Sequence, residues 1–392
     1  MKSLKKTTLA SLVGAAALAT AGAANATIVV GGENGYEFSV DGNINQFFVH
    51  TNRDNNGADE SRVRNGLLPT FFGFNISAPE MNGLKVGARV SISPSTNGGS
   101  YFDESQNGNA MEQREAFATI DGSFGQILAG KALGLYGSHN ILLDQTLFGV
   151  GATLGGDGQT TLGRIGYGYD YANWRSQIRY TTPDMNGFKA AFAVVDAEQK
   201  GNVYSYAVSP YFAYDVGFVS TTERDEPRYE ADLTYATSWD GGSFMGWASG
   251  MTQSSEASIL MSGETEEIKS HAWTVGTQIK AAGFEFVGTY YENEGVGDLG
   301  GLASGTATDV MGDEREGEGY YVQAGYRFAG KTFLAASYGE SELDQTSFEK
   351  ANPSFAYDVE TRSLVTVGIY HDVTPNLKLV AEYSQQEEEF HS

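Results

Sequence analysis

One segment of the sequence has the glycine and lysine spacing of a phosphate-binding loop. Gly125, Gly130 and Lys131 match the pattern G-x-x-x-x-G-K, in which backbone amides and a lysine hold the phosphates of a nucleotide. Ala132 stands where that pattern needs the Ser or Thr hydroxyl that binds magnesium. The segment also lies inside an apparent β-strand, whereas the motif joins a strand to a helix. We therefore predict that it binds no nucleotide.

Residues that could bind a metal or perform covalent catalysis are scattered along the chain. Asp54, Asn56 and Asp59 form a weak candidate for calcium, since their loop lacks the bidentate glutamate of a calcium-binding loop. No G-x-S-x-G nucleophile motif is present. The histidines show no i, i+4 pair that would suit a metal; they are His50, His139, His271, His371 and His391. We predict that the protein has no cofactor and no catalytic residues and that it is not an enzyme.

The charge of the chain argues against a nucleic-acid partner. The 392 residues contain 25 Lys plus Arg and 49 Asp plus Glu, a net charge of −24, which repels polyphosphate. The sequence contains no cysteine, which removes disulfides and thiolate metal sites.

The N-terminus resembles a secretory signal peptide. Lys2, Lys5 and Lys6 precede an apolar run, and Ala24-Asn25-Ala26 fits the small-x-small cleavage rule. We predict that residues 1–26 are removed on export. Residues 27–392 would then carry 22 basic and 49 acidic side chains and work outside the cytoplasm.

The exported part of the sequence alternates apolar and polar residues in many short segments. In segment 84–93, for example, Leu84, Val86 and Ala88 alternate with polar or small residues. Such alternation predicts strands with one apolar and one wet face. The mean hydropathy of −0.30 excludes a bundle of membrane helices, but a membrane β-barrel needs apolar residues only at every second position.

The connections between these segments alternate between short turns and long polar loops, as in a membrane β-barrel. The turns around Pro79 and Pro183 are near-copies, A-P-E-M-N-G-L-K and T-P-D-M-N-G-F-K. We count about fifteen strands, among them segments 36–50, 165–182 and 228–239, and segment 203–220 could add a hairpin excursion. Bacterial barrels have an even number of strands, and we interpret the odd count as a missing C-terminal strand.

Three motifs resemble the general-diffusion porins of Gram-negative outer membranes. They are Y-T-T-P-D-M-N-G-F from Tyr180, Q-R-E-A-F from Gln113 and L-G-R-I-G-Y-G-Y from Leu162. The resemblance covers residues 27–392 and implies a sixteen-stranded antiparallel transmembrane barrel, usually a homotrimer, whose third loop folds into the lumen. The Pro-Glu-Phe-Gly-Gly segment found in that loop of some members is absent here, as is a last strand ending in an aromatic residue.

The resemblance also implies a constriction where the third loop, at about 136–163, faces basic residues on the barrel wall. The loop contains the acids Asp144 and Asp157. The opposing bases on inward positions would be Arg89, Arg114, Lys131, Arg164 and Arg179, among which the resemblance favours Arg114 and Arg164. Acids on one side and bases on the other would create a transverse field that orients polar solutes.

These observations favour a passive outer-membrane channel for small hydrophilic solutes and ions. The expected partners are outer-membrane lipid, lipopolysaccharide and two further copies of the chain. A substrate-specific channel is an alternative that would need aromatic residues in series along the lumen. A secreted β-rich adhesin or an outer-membrane enzyme is less consistent with so many alternating strands and no catalytic constellation.

Overall fold

The structure, a computed structural model, describes residues 28–54, 59–94, 96–97, 111–153, 160–197, 204–209, 212–216, 219–223, 226–259 and 264–391. The predicted signal peptide 1–26, Asn56 of the calcium candidate and Asp157 of the predicted constriction lie outside these ranges. No helix in the described ranges is long and apolar enough to cross a membrane.

The described chain consists almost entirely of β-strands. The first eleven are β1 (Ile28–Gly31), β2 (Glu37–Asn43), β3 (Phe47–Thr51), β4 (Glu60–Arg64), β5 (Phe71–Ser77), β6 (Lys85–Pro94), β7 (Met111–Glu112), β8 (Ala116–Gly122), β9 (Gly125–Leu133), β10 (Trp174–Thr181) and β11 (Phe188–Val195). The others are β12 (Tyr204–Ser209), β13 (Phe212–Val216), β14 (Val219–Glu223), β15 (Arg228–Trp239), β16 (Gly242–Ile259), β17 (Glu264–Ala281), β18 (Phe284–Glu294), β19 (Glu316–Phe328), β20 (Thr332–Leu343), β21 (Val359–Thr374) and β22 (Leu377–Phe390). The described helices are α1 (Ser138–Leu143) and α2 (Ser347–Ala351), with 3₁₀ turns at Gln145–Phe148, Leu299–Gly301, Ser304–Thr306 and Pro353–Phe355.

Eighteen of these strands form one antiparallel sheet. Fifteen of its strands have seven residues or more, and each pairs with the next of these long strands along the chain. The fifteen strands expected from the alternation are therefore all present. Such an up-and-down order is the simplest way to wind a sheet around an interior.

Short turns connect the long strands at one end of the sheet. Both near-copied turns contain an Asn-Gly pair with positive φ. The φ angles are 54° at Asn82 and 75° at Gly83 in the first turn, and 58° at Asn186 and 95° at Gly187 in the second. An Asn-Gly pair accepts this left-handed backbone at low cost, which explains why the motif recurs where two strands must reverse direction tightly.

The outer face of the sheet is apolar and bordered by aromatic side chains. Val275, Val322 and Val367 are exposed on this face, although they belong to the middle of long strands. On β18, Phe284 and Tyr290 are six residues apart, which is about 20 Å at about 3.3 Å per residue. Neighbouring strands continue both aromatic rows, with the ring pairs Phe284–Tyr326 at 4.7 Å and Trp273–Tyr290 at 5.6 Å. An apolar band between two aromatic rows matches the hydrocarbon layer of a membrane.

Residues 134–173, which join β9 to β10, form what we call the inner loop. It packs against the other face of the sheet and contains α1 and the turn Gln145–Phe148. Its apolar side chains share a buried cluster with residues of β5, β16, β18 and β19 and of the segment before β5. The cluster consists of Leu67, Phe71, Ile141, Leu147, Ile165, Tyr169, Ala172, Trp247, Val287 and Tyr321. Because strands from so many parts of the sheet contact one loop, the sheet must curve around it.

Two strands differ from the expectation, whereas the hairpin excursion at 203–220 is present. The strand expected at 165–182 begins only at Trp174, because Gly166 and Gly168 have φ of 74° and 130° and turn the chain within the inner loop. The strand expected at 36–50 ends at Asn43, and β3 pairs with β4 outside the main sheet. The excursion at 203–220 contains the hairpin of β12 and β13, followed by β14, which pairs with β16.

Candidate pore constriction

Glu382 on β22 fixes the inner loop to the wall of the sheet. Its Oε2 accepts hydrogen bonds from the backbone N–H groups of Val150 at 2.6 Å and Gly151 at 3.2 Å. A Cβ at Gly149 would lie 1.9 Å from Glu382 Oε1, so a larger residue there would displace the Glu382 carboxylate from the loop. The backbone of the loop therefore lies directly against β22 at this point.

Helix α1 and the turn Gln145–Phe148 are hydrogen-bonded to strands β16, β17 and β19. The side-chain amide of Asn140 donates to Thr274 Oγ1 on β17 and accepts from Trp247 Nε1 on β16, both at 3.0 Å. The backbone N–H of Gln145 donates to Gln323 Oε1 on β19 at 2.7 Å. Helix α1 and the turn after it are thus held by β16, β17 and β19. The segment before β5 also contacts the loop, where the backbone N–H of Leu67 donates to the carbonyl oxygen of Gly149 at 3.0 Å.

Asp144 and Arg164, two residues of the predicted constriction, lie in this packed region. Both side chains are fully buried, with 3.8 Å between Asp144 Oδ1 and Arg164 Nε. Arg164 Nη1 donates to the carbonyl oxygen of Leu364 on β21 at 2.7 Å, and Tyr169 donates its hydroxyl to Asp144 at 3.0 Å. Burial and the Asp144 carboxylate raise the pKa of Tyr169, so its hydroxyl remains a donor. This arrangement joins the inner loop to β21.

Arg89 and Arg114, two further predicted bases, are paired with carboxylates. Arg89 is 2% exposed, and it donates to Asp41 Oδ2 at 2.6 Å and to Glu115 Oε2 at 2.7 Å. Arg114 donates to Glu112 Oε2 at 3.1 Å, and 17% of its side chain is exposed. Of these two arginines, only Arg114 keeps appreciable contact with open space.

Arg179 and Lys131 lie on opposite faces of neighbouring strands. Arg179 is buried and alternates with the exposed Ile178 and Tyr180 on β10, so it faces the interior. Its Nε has no hydrogen-bond partner, and no ion pair to Arg179 is found among the described residues. Lys131 is in register with Ser176, an exposed outer position of β10, so it lies on the outer face and not at the inward position expected from the sequence.

An open cavity of about 290 Å³ lies between the inner loop and the wall formed by β6, β8 to β11 and β15. The loop side is mostly apolar and includes Leu135, Ile141 and Leu142, with the polar His139, Thr160 and Thr161 beside them. The wall side contributes most of the polar lining residues, which are Ser91, Ser93, Arg114, Glu115, Arg179, Thr181, Lys189, Asp232 and Thr234. Asp144 and Arg164 are not among the lining residues.

Asp232 and Lys189 line the cavity although the sequence analysis did not assign them to the constriction. Asp232 is held by His139 of α1, with 3.2 Å from its Oδ1 to the ring Nε2, and it accepts from Thr234 Oγ1 at 2.9 Å. The inward position of Lys189 could have been predicted from the alternation of β11. Phe188 and Phe192 point outward, and Lys189 follows Phe188 directly, so its side chain points to the interior.

A second loop, residues 295–315, covers the inner loop from the end opposite the short turns. The backbone N–H of Tyr171 donates to the carbonyl oxygen of Gly300 at 2.9 Å. Arg362 Nη2 and Asp298 Oδ2 are 2.9 Å apart, and this ion pair joins the second loop to β21. The cavity beside the inner loop is therefore bounded at the long-loop end by a further folded loop.

The described residues show no group of three or more His, Asp or Glu side chains that could hold a metal ion. Asp54 and Asp59 of the calcium candidate are described, whereas Asn56 between them is not.

Comparison with known proteins finds one matching family. A family model described as Gram-negative porin matches residues 11–390. No curated protein matches the sequence.

Several solved structures share the fold. The outer membrane channel DcaP of Acinetobacter baumannii superposes with a TM-score of 0.64 at 15% identity, covering 92% of this chain and 93% of that one. An anion-selective porin from Comamonas acidovorans gives a TM-score of 0.60 at 14% identity, with 90% of each chain covered. The trimer form of OmpT, an outer membrane protein of Vibrio cholerae, gives 0.51 at 13% identity, covering 91% of this chain and 90% of that one. At these identities the likeness establishes the fold alone, an antiparallel outer-membrane β-barrel.

Proposed function

The chain belongs to the Gram-negative porin family, and from this premise we propose that the cavity beside its inner loop is the passage for solutes. The protein is an outer-membrane β-barrel channel for passive diffusion. The family assignment does not favour the substrate-specific channel or the secreted adhesin. The observation that supports this passage is the cavity between the inner loop and the wall of β6, β8 to β11 and β15, while hydrogen bonds of Asn140 and Val150 hold the loop against β16, β17 and β22.

The solutes that we propose for this passage are small hydrophilic molecules and ions. The wall offers hydroxyl groups and charged side chains such as Ser93, Thr181 and Lys189, which can replace part of a hydration shell. No covalent step is needed for such transport, and we propose that the protein has no catalytic activity.

We propose an excess of positive charge along the passage. Arg179 and Lys189 line it without an ion pair to a described residue, whereas Arg114 is paired with Glu112. Asp232 supplies one opposing charge and is engaged by His139. These side chains support a weak preference for anions at high salt. The acidic chain as a whole would attract cations at low salt, when its charges are screened less.

A homotrimer in contact with outer-membrane lipid and lipopolysaccharide is the assembly we propose. The trimer form of OmpT, which shares the fold, supports the oligomeric state. The apolar band between two aromatic rows supports the contact with lipid.

Filling the cavity should slow diffusion. Ala191 of β11 lines the cavity, whereas Ala129 of β9 is exposed on the outer face. We expect Ala191→Trp to reduce the swelling rate of liposomes in sugar solutions, and to reduce it most for the largest sugar that still enters. Ala129→Trp adds the same side chain outside the passage and should leave the rates unchanged. Equal rates for both variants and the unchanged protein would contradict the proposed passage, and absence of swelling in the unchanged protein would contradict the channel function itself.

A further inference from the structure

We propose that the passage contains a binding site for amphipathic anions, small molecules with one anionic group on an apolar chain or ring. This inference rests on the proposed function, because it places the site in the cavity that we assign as the passage. A solute bound there would cross more slowly than water and salt, and at high concentration it would obstruct their flow.

The first observation is the apolar side of the cavity. The inner loop presents Leu135, Ile141 and Leu142 to the open space, and Phe117 and Trp174 extend the apolar surface onto the wall. The inner surface of a water-filled barrel is polar by default. A concave apolar surface with a few charged groups is typical of a binding site for a small molecule.

The second observation is the unpaired guanidinium of Arg179, which lies in the same cavity. The residue is 7% exposed, and the Nε atom has no hydrogen-bond partner. Removing a charged group from water without a partner is costly, and a carboxylate or sulfonate could offset that cost with paired hydrogen bonds. Arginine is the side chain best suited to such bidentate recognition.

The carboxylates nearest to Arg179 along the wall have other partners. Glu230 is 2.6 Å from Arg228 Nε and also accepts from the backbone N–H of Leu135 at 2.6 Å. Asp232 is engaged by His139 and Thr234. Arg179 is therefore available to a solute, although both acids lower the local positive potential.

The third observation is Lys189, which lies on the wall closer to the short turns. It is exposed within the cavity and in register with Thr234 of β15. Lys189 would attract an anion at the end of the passage nearest the short turns, and the anion would then bind Arg179. The apolar part of the same molecule would then rest on the leucines of the inner loop.

A series of straight-chain carboxylates tests the inference in the unchanged protein. Acetate, butyrate and hexanoate would be added to single channels in planar bilayers that conduct potassium chloride. We expect a saturable block whose half-blocking concentration falls roughly two- to fourfold for each added methylene, because each methylene is removed from water. Hexyltrimethylammonium has the same chain with a cationic group, and it should block much less.

Two variants separate the charge from the apolar surface. We expect Arg179→Gln to raise the half-blocking concentration of hexanoate about tenfold, since a charge-assisted hydrogen bond is lost. Leu142→Ser should raise it less and should flatten the dependence on chain length. The matched control is Lys131→Gln, which removes one positive charge from the outer face of the neighbouring strand and should change nothing.

The inference is wrong if the channel conducts normally while acetate and hexanoate block equally, or if Arg179→Gln and Lys131→Gln behave alike. Either result would leave the diffusion function intact. A protein that forms no conducting channel at all would instead contradict the proposed function.

Discussion

Replacing Arg164 by alanine is expected to release the inner loop and to raise the single-channel conductance. The substitution leaves Asp144 buried without its nearest cation, 3.8 Å away, and removes the hydrogen bond to the carbonyl oxygen of Leu364. Breaking a buried ion pair costs about 3–5 kcal/mol. Because the inner loop limits the width of the passage, its displacement should give larger and noisier conductance steps in planar bilayers, together with faster proteolysis of the loop.

Arg114→Ala is the matched control for this prediction. It also removes an arginine paired with a carboxylate, but the side chain is 17% exposed and lies on the wall of the cavity. Removing this part-buried pair should cost less than removing the fully buried Arg164, so the loop should stay in place. If Arg164→Ala and Arg114→Ala give the same conductance and the same proteolysis, Arg164 does not hold the inner loop.

Removing both unpaired cations of the passage should shift ion selectivity toward cations. The double variant Arg179→Gln, Lys189→Gln leaves Asp232 and Glu115 on the wall, with the paired Arg114 as the remaining arginine among the wall residues that line the cavity. Charges beside a narrow passage are screened less by salt than charges at its mouth, where the Debye length is about 10 Å at 0.1 M. The reversal potential in a gradient of potassium chloride should therefore move toward cations even at high salt, and further on dilution.

The single variant Arg114→Ser tests the base that the family resemblance favours. It should shift the reversal potential in the same direction but less than the double variant, because the charge of Arg114 is already paired with Glu112 in the unchanged protein. A larger shift for Arg114→Ser than for the double variant would place the narrowest point at Arg114. An unchanged potential in all variants would show that none of these side chains lies beside the ion path.

The strands could be predicted from the sequence because the membrane imposes a strict pattern on them. Segment 228–239 was predicted with the bounds that β15 has in the structure. Its outer residues, such as Leu233, must be apolar wherever they face hydrocarbon, so the period of two persists along the whole strand. The turns carry an equally local signal, since the Asn-Gly pairs at 82 and 186 need no distant contact to adopt positive φ.

The interior could not be predicted in the same way because distant residues position it. Asn140 is held by Thr274 and Trp247, more than 100 residues away along the chain. No residue adjacent to Asp144 in the sequence indicates that its carboxylate lies beside Arg164. The resemblance suggested acids facing bases across the lumen, whereas the described part of the inner loop presents leucine and isoleucine to the cavity.

The outward position of Lys131 could have been predicted from the alternation of β9. Ile127 and Ala129 are exposed on the outer face of β9, and Lys131 continues their alternation. The two-residue period of this strand therefore indicates an outward side chain at position 131.

The most direct test of the proposed passage is chemical modification of single cysteines during current recording. The chain has no cysteine, so each introduced thiol reacts alone. Thr181 lines the cavity, whereas Ser176 on the same strand is exposed on the opposite face. We predict that a charged methanethiosulfonate reagent lowers the conductance of Thr181→Cys channels in planar bilayers and leaves Ser176→Cys channels and the unchanged protein unaffected. If Thr181→Cys channels keep their full conductance although mass spectrometry shows complete modification, the passage does not run between the inner loop and this wall.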